Sequence, residues 1–137
     1  MTARSAPAAK IGVLGAGAWG TALAQVLASD GRPVALWARD AALAARINAT
    51  RRNEAYLPGI PLAPGIHATA DLRALAPCAT LLAVTPAQAM AEVLARLPDV
   101  PRDLVLCSKG IEQGTGRLMN EVRIVTRSTT SNLKLRA

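Results

Sequence analysis

KIGVLGAGAWGTALAQVLASDG, running from Lys10 to Gly31, is the stretch whose reading decides the fold. Ile11 to Leu14 form a short apolar run, glycines follow at positions 15, 17 and 20, and an alanine- and leucine-rich run with helical spacing begins at once. A short apolar run bounded by turn residues reads as a buried strand, and apolar positions recurring every three or four residues read as one face of a helix. The first glycine allows a tight turn out of the strand, the second lets another molecule come close to the backbone, and the third lets helix and strand pack closely. Three glycines alone are weak evidence in an alanine-rich chain, so their setting between strand and helix matters.

The alternation continues. Strands are expected near 10–14, 33–37, 66–69, 79–84 and 103–107, and helices near 18–29, 40–49, 71–76, 86–97 and 114–122. Strands alternating with helices imply crossover connections and a parallel sheet covered on both faces. The expected fold is therefore α/β, a Rossmann-like doubly wound parallel sheet. Asp40 is placed to cap the second helix. Thr85-Pro86-Ala87-Gln88 combines a capping hydroxyl, a first-turn proline and a capping-box glutamine.

Composition narrows the function. The chain of 137 residues suits one domain, and its only aromatics are Trp19, Trp37 and Tyr56, so the core must be aliphatic. Sixteen basic against nine acidic side chains give +7, but residues 1–121 contribute +3 and Val122 to Ala137 contribute +4 without an acid. Basicity concentrated near one end, without aromatic interleaving or a recognition motif, argues against a nucleic-acid partner. No apolar run reaches the roughly 20 residues of a membrane span, and the first ten carry no signal-peptide stretch, so a cytoplasmic protein is expected. Cys78 and Cys107 are too far apart for a CxxC redox or zinc pattern, and no metal is expected. Both read as small buried hydrophobes, as Met90 and Met119 read as core residues.

In context the glycine pattern is a dinucleotide fingerprint, because a helix N-terminus beginning near Ala18 aims unpaired N–H groups at a pyrophosphate. The end of the second strand reads Ala38-Arg39-Asp40. An arginine where an acid would accept from ribose hydroxyls can pair with a 2′-phosphate, so NADP is expected ahead of NAD. Lys109 follows the apolar run Leu104 to Cys107, which puts its ammonium at the carboxyl end of a strand, where ligands collect in open α/β sheets. TRRNEAYLPGIPLAPG, from Thr50 to Gly65, is a long loop, either functional or mobile, and its Arg51-Arg52 pair reads as solvated. His67 reads as a strand or surface residue.

The segments GAGAWGTALA (15–24), LWARD (36–40), INATRRNEAYLPGIPLAPGI (47–66), ATADL (68–72), AVTPAQAM (83–90) and SKGIEQGTGRLMNEV (108–122) together resemble the soluble NAD(P)-dependent glycerol-3-phosphate dehydrogenases of the bacterial type. The resemblance implies reversible hydride transfer between a nicotinamide cofactor and dihydroxyacetone phosphate, yielding sn-glycerol 3-phosphate for phospholipid synthesis. It implies that Gly15, Gly17, Ala18, Trp19 and Gly20 cradle the cofactor, with Arg39 at its adenosine end and Tyr56 as a further contact. Lys109 matches the lysine lying between nicotinamide and substrate.

The resemblance ends at Val122. RIVTRSTTSNLKLRA (123–137) has no sustained helical stripe and reads as a divergent basic tail, frayed or appended to a dinucleotide-binding domain over residues 1–122. The family's helical substrate domain, with its principal catalytic lysine, is absent, and loss of that partner is expected to favour dimers or aggregates. An excised domain, a frameshifted product and a truncated gene all fit. Two functional readings stand beside the nucleic-acid one: the cofactor part of an oxidoreductase, and a dinucleotide-binding module without catalysis.

Overall fold

A computed structural model describes residues 9–85, 87–97, 102–107 and 133–136. Strand β1 (Ile11–Leu14) is followed by helix α1 (Ala18–Leu27), β2 (Val34–Trp37) and α2 (Ala41–Thr50). After a long loop come β3 (Ile66–Thr69), a short 3-10 turn (Leu72–Leu75), β4 (Thr80–Ala83), α3 (Ala87–Ala95), β5 (Arg102–Leu106) and β6 (Leu133–Arg136). All pairings are parallel, in the order β3-β2-β1-β4-β5-β6. The chain thus leaves β1 to one side for β2 and β3 and returns on the other side for β4 and β5. The strand order reverses beside β1.

Burial follows from the strand period of two. Val13, Val34 and Leu36 face one side and pack with Ala24 of α1 and with Ala44 and Ile47 of α2. Leu14, Ala35 and Trp37 face the other, against Leu72 and Leu75 of the 3-10 turn and Val93 and Leu94 of α3. All four residues of β2 are buried, as expected of a strand covered on both faces. Small residues on the helices let an almost purely aliphatic core close without aromatic bulk.

The sheet edge at β3 is held from above. Asn48 of α2 donates through Nδ2 to the Ala68 carbonyl at 2.8 Å and accepts from the Ala68 N–H through Oδ1 at 2.8 Å. That pair of bonds occupies backbone groups that would otherwise be open to another strand. Asp40 caps α2 as expected, accepting from the Ala42 N–H at 2.9 Å. Asp71 does the same for the 3-10 turn through the Arg73 N–H, and its carboxyl is held below the usual range by the Arg73 side chain and N–H.

Two expectations need correction. The segment near 71–76 forms a 3-10 turn, since only Leu72 and Leu75 need reach the core and three-residue spacing suffices. The tail is not frayed throughout: Leu133–Arg136 pairs with β5, with Leu133 beside Arg102. Leu-Lys-Leu-Arg alternates with the period of a strand, but four residues beside Ser, Thr and basic residues give too short a signal to read. The helix expected near 114–122, Pro86 and Met119 lie outside the described residues, as does the side chain of Met90.

Replacing Leu36, fully buried in β2, with alanine is expected to lower the unfolding free energy by about 2–5 kcal/mol. Val26→Ala, at a position 70% exposed on α1, should change it by less than about 0.5 kcal/mol. Urea titration followed by circular dichroism compares the two.

Candidate functional site

Beyond Leu14 the chain turns sharply at Gly15, whose φ of +122° is closed to ordinary side chains. Its N–H donates to the Trp37 carbonyl at 3.0 Å, which ties the turn to the end of β2. A Cβ at Gly20 would overlap the Gly15 carbonyl oxygen, so α1 can rest on the turn only because this position has no side chain. Both glycines are therefore demanded by the fold itself.

Gly17 is different. Its φ of −75° and ψ of −171° suit any residue, and a Cβ there would meet no protein atom within 4 Å. It stands at the N-cap of α1, where no side chain caps the helix and no acid occupies the first turn. The first N–H groups of a helix lack intrahelical partners, and with the helix dipole they favour an anion.

These groups open into a cavity of about 540 Å³ at the carboxyl ends of β1, β2 and β4. Gly15, Gly17, Ala18, Trp19, Gly20, Arg39 and Tyr56, which the sequence singles out over three separate segments, all line it. Trp37 is 2% exposed and directs its indole N–H to the Ala70 carbonyl at 3.1 Å, leaving ring surface to the cavity. Trp19 and Tyr56 are 60% and 51% exposed at its rim. Exposed aromatics beside a concave surface are suited to holding a planar ring.

Asn53 is the residue that sequence reasoning missed. It is 1% exposed, and its Nδ2 donates both to the Ala16 carbonyl at 2.9 Å and to Thr21 Oγ1 at 2.8 Å. Its own carbonyl accepts from the Tyr56 and Leu57 N–H groups at 3.2 and 2.7 Å. One side chain thus fastens the loop bearing Tyr56 to the glycine turn. Its Oδ1 is buried without a hydrogen-bond partner among the described residues. The loop is further held by Gln25 Oε1, which accepts from the Ala63 N–H at 2.7 Å. Arg51 is not simply solvated: its guanidinium donates to the Ala63 carbonyl at 2.5 Å, and its backbone, at φ 57°, ends α2. Arg52 lies beside Glu54 at 3.4 Å.

At the mouth, Arg39 lies 3.7 Å from Glu92 of α3, with both side chains largely exposed. Lys109 lies outside the described residues. The strand that leads to it ends at Leu106, beside Ala83, and Cys107 donates its N–H to the Ala83 carbonyl at 2.9 Å. Cys107 is half-buried rather than fully buried, and burial pushes its thiol up; Cys78 is buried as expected. His67 is exposed on β3. Among the described residues no cluster of His, Cys, Asp and Glu could hold a metal ion, and no helix is long and apolar enough to cross a membrane.

Residues 10–133 match the family model described as NAD-dependent glycerol-3-phosphate dehydrogenase N-terminus, so the match continues eleven residues past Val122. The chain is 62% identical over 114 residues to a glycerol-3-phosphate dehydrogenase (NAD(P)+) of Erythrobacter litoralis, covering 83% of this chain and 34% of that protein. Its counterpart in Caulobacter vibrioides is 52% identical over 118 residues, covering 82% and 35%. The chain spans about a third of the length of the curated relatives it matches. In three dimensions it resembles the glycerol-3-phosphate dehydrogenase of Coxiella burnetii, with a TM-score of 0.75 and 38% identity over 82% of this chain and 35% of the other. The enzyme of Plasmodium falciparum follows at 0.70 and 26%, over 80% and 35%.

The two kinds of glycine can be separated by experiment. Gly20→Ala must push α1 off the turn and is expected to leave little folded protein, whereas Gly17→Ala should stay within about 1 kcal/mol of the parent. Far-ultraviolet circular dichroism and urea titration of the two variants provide the check.

Proposed function

The chain belongs to the NAD-dependent glycerol-3-phosphate dehydrogenase family through its N-terminal part, and on that premise we propose that its cavity binds a nicotinamide dinucleotide, NADP(H) ahead of NAD(H). The observation that carries the reading is Gly17: nothing in the fold requires a glycine there, yet it lines the cavity at an uncapped helix N-terminus, with open space where a Cβ would stand. A pyrophosphate fits that place, since its charge complements the free N–H groups and its bulk needs the room a Cβ would occupy. Ala18, Trp19 and Gly20 supply the helix end, and Gly15 fixes its direction.

The adenosine half lies toward Arg39, at the end of β2. A guanidinium there pairs with a 2′-phosphate in a forked geometry that an uncharged 2′-hydroxyl cannot repay. Asp40 is engaged at the N-terminus of α2, where its carboxylate accepts from the Ala42 N–H. Tyr56, held by Asn53, and Trp19 flank the ligand. NAD remains a weaker alternative ligand.

When bound, the reduced cofactor supplies a hydride. We assign Lys109 to the substrate side of the nicotinamide, where its ammonium binds a phosphorylated three-carbon substrate and polarises the carbonyl under attack. The reaction so served interconverts dihydroxyacetone phosphate and sn-glycerol 3-phosphate, a step toward glycerophospholipids, in the cytoplasm. Residues 1–122 form the cofactor domain in this reading, and residues 123–137 follow it as a basic segment with an edge strand. The principal proton donor belongs to the helical part that the longer relatives have room for. The proposed assembly of the chain is a homodimer.

Three measurements test this. The 137-residue chain should bind NADPH at least several-fold more tightly than NADH, and Arg39→Asp should reverse the order; equal affinities throughout would defeat the assignment. Gly17→Val should fold and yet lose cofactor binding, and retained affinity would show that the ligand does not use the turn. General acid catalysis contributes about 10²–10⁴-fold, and a water-excluding site adds to it. The chain alone should therefore show no measurable oxidation of NADPH with dihydroxyacetone phosphate. Turnover that depended on Lys109 would mean that these residues hold a complete site.

A further inference from the structure

The Arg39–Glu92 pair is the feature of the cavity mouth that the cofactor reading leaves unused. Arg39 follows β2 and Glu92 belongs to α3, which follows β4; β2 and β4 lie on opposite sides of β1. The 3.7 Å approach of Nη2 to Oε2 therefore spans the crevice at the point where the strand order reverses. Ala89 and Val93 of the same helix line the cavity, so Glu92 sits next to its wall. With side chains 60% and 64% exposed, the pair is open to solvent and adds little to the fold. Its effect is on whatever else approaches the guanidinium.

We propose that Glu92 is a specificity-determining residue that moderates the preference for a 2′-phosphorylated cofactor. The inference rests on the reading of Arg39 as the partner of the cofactor's 2′ position. A 2′-phosphate brings close to two negative charges to a guanidinium that already faces a carboxylate. It must displace Glu92 or remain beside a like charge, and either outcome weakens its binding. A 2′-hydroxyl has no charge to repel and can donate to the same carboxylate. Glu92 thus acts against NADPH alone and narrows the gap between the two cofactors, while Arg39 sets its direction. The other acid at the mouth, Asp40, is turned to the N-terminus of α2 and accepts from Ala42.

Glu92→Gln keeps the size and helix propensity of the side chain and removes its charge. Dissociation constants for NADPH and NADH, measured by calorimetry on the 137-residue chain at low ionic strength, are expected to show NADPH tightened about threefold or more and NADH changed by less than about twofold. The gain should shrink as salt is added, and it should be smaller when Glu92→Gln is placed on an Arg39→Gln background, where no guanidinium draws the 2′-phosphate to Glu92. An unchanged NADPH-to-NADH ratio or an equal shift for both cofactors would overturn the proposal while leaving the cofactor site intact. Failure of the parent chain to bind either dinucleotide would overturn the cofactor reading, and the role of Glu92 with it.

Discussion

The closeness of Gly20 to the Gly15 carbonyl is the contact on which the rest of the molecule depends. Because neither residue carries a side chain, α1 starts directly above the end of β1 instead of being held away from it. The helix can then lay Ala24 against Val13, Val34 and Leu36, and its N-terminal N–H groups open at the sheet's carboxyl edge. A side chain at position 20 would cost both the packing and the anion site. One steric requirement thus sets both the packing and the opening of the helix end, and Gly17 is free of it.

A site at the end of a sheet must also be walled by loops, and loops bring mobility. Here the wall is made firm by buried polar groups. Asn53 gives one amide donor bond to the glycine turn at Ala16 and one to Thr21 of α1, and its backbone carbonyl to two N–H groups of its own loop. Gln25 and Arg51 fix the far end at Ala63. Such bonds are individually modest, but leaving a buried donor or acceptor without its partner costs more than the bond contributes. The loop is therefore held less by the strength of any one bond than by the penalty for undoing several at once.

The features legible in the sequence were those that repeat or are sterically unusual. Strand period, helix period and the glycine spacing placed β1 to β5 and the first three helical segments within a few residues, and the segments around Gly15, Arg39 and Tyr56 do meet at one cavity. Asn53 and Glu92 were not legible, because each acts through a partner distant in sequence, 37 residues in the case of Ala16. Nothing local distinguishes a buried loop asparagine from a solvated one. Arg51 was misread for the same reason: in the chain it is half of a basic pair, and only the fold brings the Ala63 carbonyl to it. β6 escaped because a four-residue strand at a sheet edge has too few positions to establish a period.

Charge around the cavity is divided between backbone and side chains. Apart from the buried Thr85, the floor and inner walls are apolar or backbone, so the potential favouring an anion there comes from the helix end rather than from charged side chains. Fixed N–H groups do not titrate, and in the proposed reading they meet the diphosphate common to every nicotinamide dinucleotide. Among the described residues, side-chain charge enters at the rim, with Arg39, Asp40 and Glu92. In the proposed reading, recognition of the shared part is built into the backbone of the turn, where Gly15 and Gly20 are fixed by the fold and Gly17 alone of the three glycines is not. In the same reading the variable part is met by exposed side chains that can change without disturbing the core, which would separate how firmly a dinucleotide is held from which one is preferred.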